Sequence, residues 1–223
     1  MVASWNKDTS EVKVISFMRD IYAAIPGYED YKLNTAYYLG GVELLKETLG
    51  EMFGIPIHHY ALIDFQSFEQ LVNITAPNGV EIDVEKEMSE NIGVTLTPGV
   101  QRLNGQELLG YARFRADAEG DFGRVRRQQQ VIGALKEELT GPLAFTGYSK
   151  LAGAVQGAVQ TDMTASDQLG KAVKFALFGG REVERLTIPA EGTYSHASYP
   201  HAGSVLELDL EANRQAINDF LYE

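Results

Sequence analysis

At 223 residues the chain is long enough for one large domain or two small ones, each with an ample core. Its formal net charge of -12 argues against general nucleic-acid binding, which leaves a basic footprint over a broad face. Cysteine is absent, which excludes disulfides, thiolate metal sites and Cys nucleophiles, and no apolar run reaches the ~18 residues of a membrane span.

The stretch Glu11 to Phe17 alternates and reads as a mostly buried strand. Met18-Arg19-Asp20 ends it, and a short extended piece leads to a turn at Ile25-Pro26-Gly27. Asn34-Thr35 are expected to cap a helix to Phe53, stopped by Gly54 and weakened inside by Gly40-Gly41. Ile57 to Ile63 reads as a strand, and Asp64 as the cap of a helix from Phe65 to Val72. Asn78-Gly79 turns into a strand at Val80 to Val84. Thr97-Pro98-Gly99 marks a further turn, Asn104 caps a helix through Tyr111, and Asp121 caps another to Leu139, broken at Gly141-Pro142. Helices are expected over 143–155 and 166–178, strands at Glu182 to Ile188 and Ser204 to Leu210, and a terminal helix from Ala212 to Tyr222. Glu191 to Gly203 reads as a loop. Strands alternating with helices predict one α/β domain over 1–223, with helices on both faces of a mixed sheet, an α-β-α sandwich.

Five of the ten arginines fall between Arg113 and Arg127, against the sign of the whole molecule. Guanidinium is always charged, and its planar fork of donors matches phosphate and carboxylate oxygens. At about 100° per residue, with Val125 at zero, Ile132, Leu135 and Leu139 define a buried stripe. Gln128 falls inside that stripe and Arg124 on its border, while Arg126, Arg127 and Gln130 fall opposite, in solvent. A buried arginine without a partner is costly, so Arg124 and Gln128 are expected to line a cleft or meet an acid. If Arg113-Phe114-Arg115 is extended, both arginines project to one side and Phe114 packs on the other. Two readings follow: an anion site where Arg113, Arg115, Arg124 and Gln128 converge, or a solvated charge run paired internally with Asp117, Glu119 and Asp121.

Other signals are weak. Asp121-Phe122-Gly123 matches a kinase tripeptide without the glycine-rich loop, strand lysine or catalytic loop that would give it meaning. His58 and His59 are adjacent on an expected strand, so they face opposite ways. His196 and His201 fall in the expected loop, where solvent exposure is the ordinary reading and a metal role the sharper one.

Several ordered blocks resemble the LytR-CpsA-Psr family of bacterial cell-wall proteins. They are Ser16-Phe17-Met18-Arg19-Asp20, Ile25-Pro26-Gly27-Tyr28 with Lys32-Leu33-Asn34-Thr35-Ala36-Tyr37, and Gly40-Gly41. Asp64-Phe65 with Phe68 and Leu71-Val72, Gly79-Val80, and Leu103-Asn104-Gly105 follow. Ala112-Arg113-Phe114-Arg115, Gly120-Asp121, Gly123-Arg124 and Arg127-Gln128-Gln129 complete the set. Order and spacing agree over residues ~12–135, and the C-terminal part fits more loosely.

The resemblance implies a phosphotransferase at the extracellular face of the bacterial cytoplasmic membrane. Such proteins move an anionic glycopolymer, teichoic acid or capsular polysaccharide, from a polyprenyl-pyrophosphate carrier onto peptidoglycan. It implies Arg19, Arg113, Arg115 and Arg124 as pyrophosphate-binding and catalytic arginines, Gln128 as a further contact, and Asp121 as an acid/base or arginine-orienting residue. The guanidiniums would neutralise the diphosphate and hold the charge developing on the leaving lipid phosphate. An apolar tunnel for the polyprenyl tail is expected along 35–53 and 143–155. The resemblance further implies Mg²⁺, a membrane helix and a first strand; the usual Mg²⁺ ligands and the anchor are expected ahead of Met1, outside this chain. Nucleic acid is not an expected partner, and an RNA-binding role for Arg126 and Arg127 is disfavoured by charge and by the lack of an aromatic stacking motif. Hydrolysis of the same lipid diphosphate, or lipid or polymer binding without catalysis, are the alternatives.

Overall fold

The computed structural model describes residues 1–6, 11–140, 158–164, 166–167, 170 and 183–222. In chain order its strands are β1 (Val2–Trp5), β2 (Val12–Phe17), β3 (Tyr22–Ala23), β4 (Tyr31–Lys32), β5 (Ala61–Leu62), β6 (Val80–Val84), β7 (Gly99–Leu103), β8 (Gln160–Thr161), β9 (Glu184–Ile188), β10 (Tyr194–Tyr199) and β11 (Gly203–Leu208). The described helices are α1 (Leu33–Phe53), α2 (Phe65–Thr75), α3 (Gly105–Arg113), α4 (Gly120–Thr140) and α5 (Leu210–Tyr222). The fold is α/β. By contact the chain groups into two units, one of Met1–Asn6, Val12–His58 and Val183–Glu223, the other of Lys7–Glu11 and His59–Glu182.

In the first unit β2 is the centre of a mixed sheet in the order β1-β2-β9. It runs antiparallel to β1, with Val2 opposite Ile15, and parallel to β9, with Phe17 opposite Ile188. A strand covered on both faces reads as a run of apolar residues, and Val14, Ile15 and Ser16 are all buried. α5 packs on β2 and β9. Its Asn213, fully buried, is satisfied by the Ala190 amide and by carbonyls of Thr193 and Asp209. α1 starts one residue before the expected caps: Lys32 is its N-cap and supplies no side-chain bond. The first amides are met instead by backbone carbonyls, Leu33 to Ile21 at 2.8 Å and Asn34 to Arg19 at 3.2 Å. Gly40-Gly41 breaks the helix outright, since Gly41 sits at φ 66 and ψ -152, a region that essentially only glycine occupies. Gly54 ends it in the left-handed conformation, as expected.

The expected loop at Glu191 to Gly203 contains β10. Its small polar residues carry no apolar period, and the strand exists because it pairs in full register with β11, Tyr194 opposite Leu208 to Tyr199 opposite Gly203.

In the second unit, the expected strand at Ile57 to Ile63 shrinks to Ala61–Leu62, paired with β8. Asp64 caps α2 by accepting the Ser67 amide at 2.7 Å. The Asn78-Gly79 turn opens a hairpin of β6 and β7, Val80 opposite Leu103 and Val84 opposite Gly99. The Thr97-Pro98-Gly99 turn therefore leads into a strand, β7, that local pattern did not show. Asn104 and Glu107 form a reciprocal capping box at the start of α3. α3 and α4 pack on each other and around a core of Val80, Ile82, Leu103, Leu108, Tyr111 and Val131. The expected helices at 143–155 and 166–178, and with them part of the expected lipid tunnel, lie outside the described residues. Among the described residues no helix is long and apolar enough to cross a membrane.

Candidate anion-binding site

α3 ends at Arg113, and Phe114 leaves it with φ -59 and ψ 133. That extended step produces the alternation expected from the sequence: Phe114 is buried at 4%, and Arg113 and Arg115 on either side are exposed. The Arg113 guanidinium lies over the Phe65 ring, 4.5 Å from its centroid. Stacking engages the flat face of a guanidinium and leaves its in-plane donors available to an anion. Among the described residues Arg115 has no hydrogen bond or ion pair.

The other half of the segment departs from expectation. Arg127 is not in solvent but fully buried, at 0% exposure. Its Nη1 donates to the Phe114 carbonyl at 3.0 Å, and its Nη2 pairs with Asp117. The phase argument failed because α4 has two apolar directions. Val125 marks one, while Val131, Ala134 and Leu135, packed with the core of this unit, mark another that takes Arg127 inward. Arg126 is half-exposed but paired with both Glu85 and Glu119, its Nη2 at 2.8 Å from each. Hydrogen bonds from Arg126 hold the Glu85 carboxyl below its ordinary range. Gln130, also expected in solvent, accepts the Tyr111 hydroxyl at 2.8 Å. Burial, then the Glu85 charge, pushes that phenol up to about 12. A nucleic-acid role for Arg126 and Arg127 has no support in this arrangement.

Arg124 is four-fifths buried by side chain, and its Nη2 meets Asp121 at 2.8 Å. Asp121 stands in the first turn of α4, where a carboxylate also suits the helix dipole. The helix entry itself is held by Asp117, which accepts the Gly120 amide through both Oδ1 and its carbonyl at 3.1 Å. The expected cap role of Asp121 therefore passes to Asp117. Gln128 is half-buried on α4. Within this unit the structure thus sets Arg113, Arg115, Asp121, Arg124 and Gln128 on two packed helices and the segment joining them. Arg19 belongs to the first unit, exposed in the turn after β2, its Nε 3.2 Å from Asp20, which also pairs with Lys32 at 3.2 Å.

Sequence reading missed Lys86 and Glu85, at the end of β6, as partners of this segment. Neither lies in a motif, and only the hairpin brings them there. It did name Asp117 and Glu119 as pairing acids. His196 lies on β10 rather than in a loop, and His201 is within 3.1 Å of the Asp30 carbonyl and 3.4 Å of the Tyr22 hydroxyl. Among the described residues no group of three or more His, Asp or Glu side chains is arranged to hold a metal ion.

A family model described as the LytR_cpsA_psr family matches residues 1–217. Regulatory protein MsrR of Staphylococcus aureus (strain COL) is 47% identical over 223 residues, all of this chain and 68% of MsrR. The polyisoprenyl-teichoic acid–peptidoglycan teichoic acid transferase TagU of Enterococcus faecalis is 33% identical over 169 residues, 75% of this chain and 55% of TagU. The crystal structure of Bacillus subtilis TagV has a TM-score of 0.80 at 26% identity, covering 98% of this chain and 87% of that one. Nearly the whole length fits one family description and one relative is close to half identical, so the chain belongs to the LytR-CpsA-Psr family.

Proposed function

We propose that this chain is the transferase domain of a glycopolymer–peptidoglycan phosphotransferase, with its arginines cradling a polyprenyl-linked pyrophosphate. The observation that carries this reading is the pair Arg113 and Arg115, held exposed on either side of buried Phe114 without a carboxylate partner among the described residues. In a chain of net charge -12, two solvent-facing guanidiniums left unneutralised, at the end of a helix that packs on the one carrying the Asp121–Arg124 pair, suit a polyanion. The name of TagU, a teichoic acid transferase, supports the same chemistry.

On this reading a sugar hydroxyl of the acceptor attacks the phosphorus nearest the glycopolymer. The bond to the bridging oxygen breaks, the hydroxyl proton passes to the leaving phosphate, and the carrier departs as polyprenyl phosphate. Arg113, Arg115 and Arg124 hold the non-bridging oxygens and the charge growing on the leaving phosphate, and Gln128 adds a neutral donor. Asp121 orients Arg124 by their hydrogen bond. The reaction belongs at the outer face of the cytoplasmic membrane, where carrier and peptidoglycan meet.

The test incubates the protein with a polyprenyl-pyrophosphate-linked sugar and a peptidoglycan acceptor, with and without Mg²⁺. Sugar phosphate covalently joined to peptidoglycan is the expected product. Release of free sugar phosphate would mean hydrolysis instead, and retention of intact lipid would mean a binding module. Arg124→Ala is expected to abolish transfer.

A further inference from the structure

Arg127 takes no part in the chemistry above, and burial alone is a poor reason to keep it. It is fully buried, and its Nε has no hydrogen-bond partner. An apolar side chain would fill the space without an unmet N–H, and replacing a buried ion pair by apolar residues is often neutral or stabilising. What an apolar side chain cannot do is grip two points of one loop at once. The Arg127 guanidinium does so, bonding the Phe114 carbonyl at 3.0 Å and the Asp117 carboxylate, with the Phe114 ring 5.1 Å away. Asp117 in turn accepts Lys86 Nζ at 3.1 Å and the Gly120 amide at 3.1 Å.

The two grips fall at meaningful places. The Phe114 carbonyl belongs to the peptide that joins Phe114 to Arg115, so fixing it fixes the direction in which Arg115 leaves the chain. Asp117 fixes where α4 begins, and hence the phase at which Asp121, Arg124 and Gln128 are presented. Gly123 belongs to the same arrangement: a Cβ there would come within 3.0 Å of Arg127 Nη1 and 2.8 Å of Glu119.

We propose that Arg127, with Asp117 and Lys86, is the positioning device of the anion site, a buried cation that sets the exposed arginines in place without touching the ligand. The inference rests on the pyrophosphate reading above, and its test separates the two.

Full-length protein is titrated calorimetrically with inorganic pyrophosphate, alongside thermal unfolding and amide exchange over residues 115–120. Wild type is expected to bind; if it does not, the site reading itself fails, and this inference with it. Arg127→Lys keeps the buried charge but replaces the fork by a single ammonium. It is expected to weaken pyrophosphate roughly tenfold to a hundredfold and to speed exchange across the loop. The double variant Arg127→Met, Asp117→Asn removes the buried pair together. It is expected to unfold cooperatively near the wild-type temperature while losing affinity to a similar extent. A merely structural role would move the melting temperature and leave the affinity of the folded protein alone. Either variant, folded and binding within about twofold of wild type, overturns the proposal. If neither folds, Lys86→Met decides: its side chain is 42% exposed, so the fold tolerates it. Loosened loop exchange with weaker pyrophosphate binding supports the proposal, and unchanged affinity overturns it.

Discussion

Arg113 and Arg115 at one end of the arginine segment, and Arg126 and Arg127 at the other, are the same residue type a dozen positions apart, yet they meet opposite fates. The first two stand in solvent, one stacked on Phe65 and the other without an acid partner among the described residues. The second two are consumed internally, by Glu85 and Glu119 for Arg126 and by Asp117 and a carbonyl for Arg127. A local concentration of guanidinium is therefore not one feature. The internal ion-pair run weighed from the sequence is present in the second half, while the first half keeps the exposed guanidiniums on which the anion-site proposal rests.

The sharpest way to break this contrast is at its buried end. Asp117→Asn leaves Arg127 charged in the interior without its carboxylate. The expected loss of stability is about 3–5 kcal/mol, read from the midpoint of urea unfolding. A loss below about 1 kcal/mol would mean that Arg127 is effectively solvated.

At the exposed end, Arg113→Ala and Arg115→Ala are each expected to cost roughly 1.5–3 kcal/mol of pyrophosphate affinity, about tenfold or more. Stability should change by no more than about 0.5 kcal/mol. Arg126→Ala is the control between them. Its carboxylate contacts are half-exposed, so a stability change of about 0–1 kcal/mol and no change in affinity are expected.

The smallest effect concerns pH. Burial pushes the Asp117 carboxyl up, but Lys86 and Arg127 more than offset it, so the folded value lies below the ordinary one. A depressed carboxyl contributes stability that is present above its unfolded pKa and lost as pH falls through the folded one. Wild type should thus show an acid-side loss of stability that is shallower in Asp117→Asn. Parallel curves would contradict the ionised pair.

These outcomes also bear on what a sequence can convey. Elements announced by their own residues were legible: the Asp64 cap of α2, the Asn104 cap of α3 and the Asn78-Gly79 turn, while Gly40-Gly41 read as a weak point in α1 and proves to be a break. The exposed arginines were legible too, because strand alternation about Phe114 is a local property. Elements that depend on distant partners were not. β10 has no apolar face of its own and is defined by β11, and β7 begins at a glycine with φ 115 that reads as turn. Arg127 was misplaced for the same reason, since its partners come from the loop that precedes the helix rather than from α4.

The most direct measurement is a calorimetric titration of inorganic pyrophosphate into three proteins in parallel: wild type, Arg113→Ala/Arg115→Ala, and Arg126→Ala. The account predicts saturable binding to wild type and Arg126→Ala with equal affinity, and none measurable to the double variant. Equal binding by all three, or loss confined to Arg126→Ala, would contradict it.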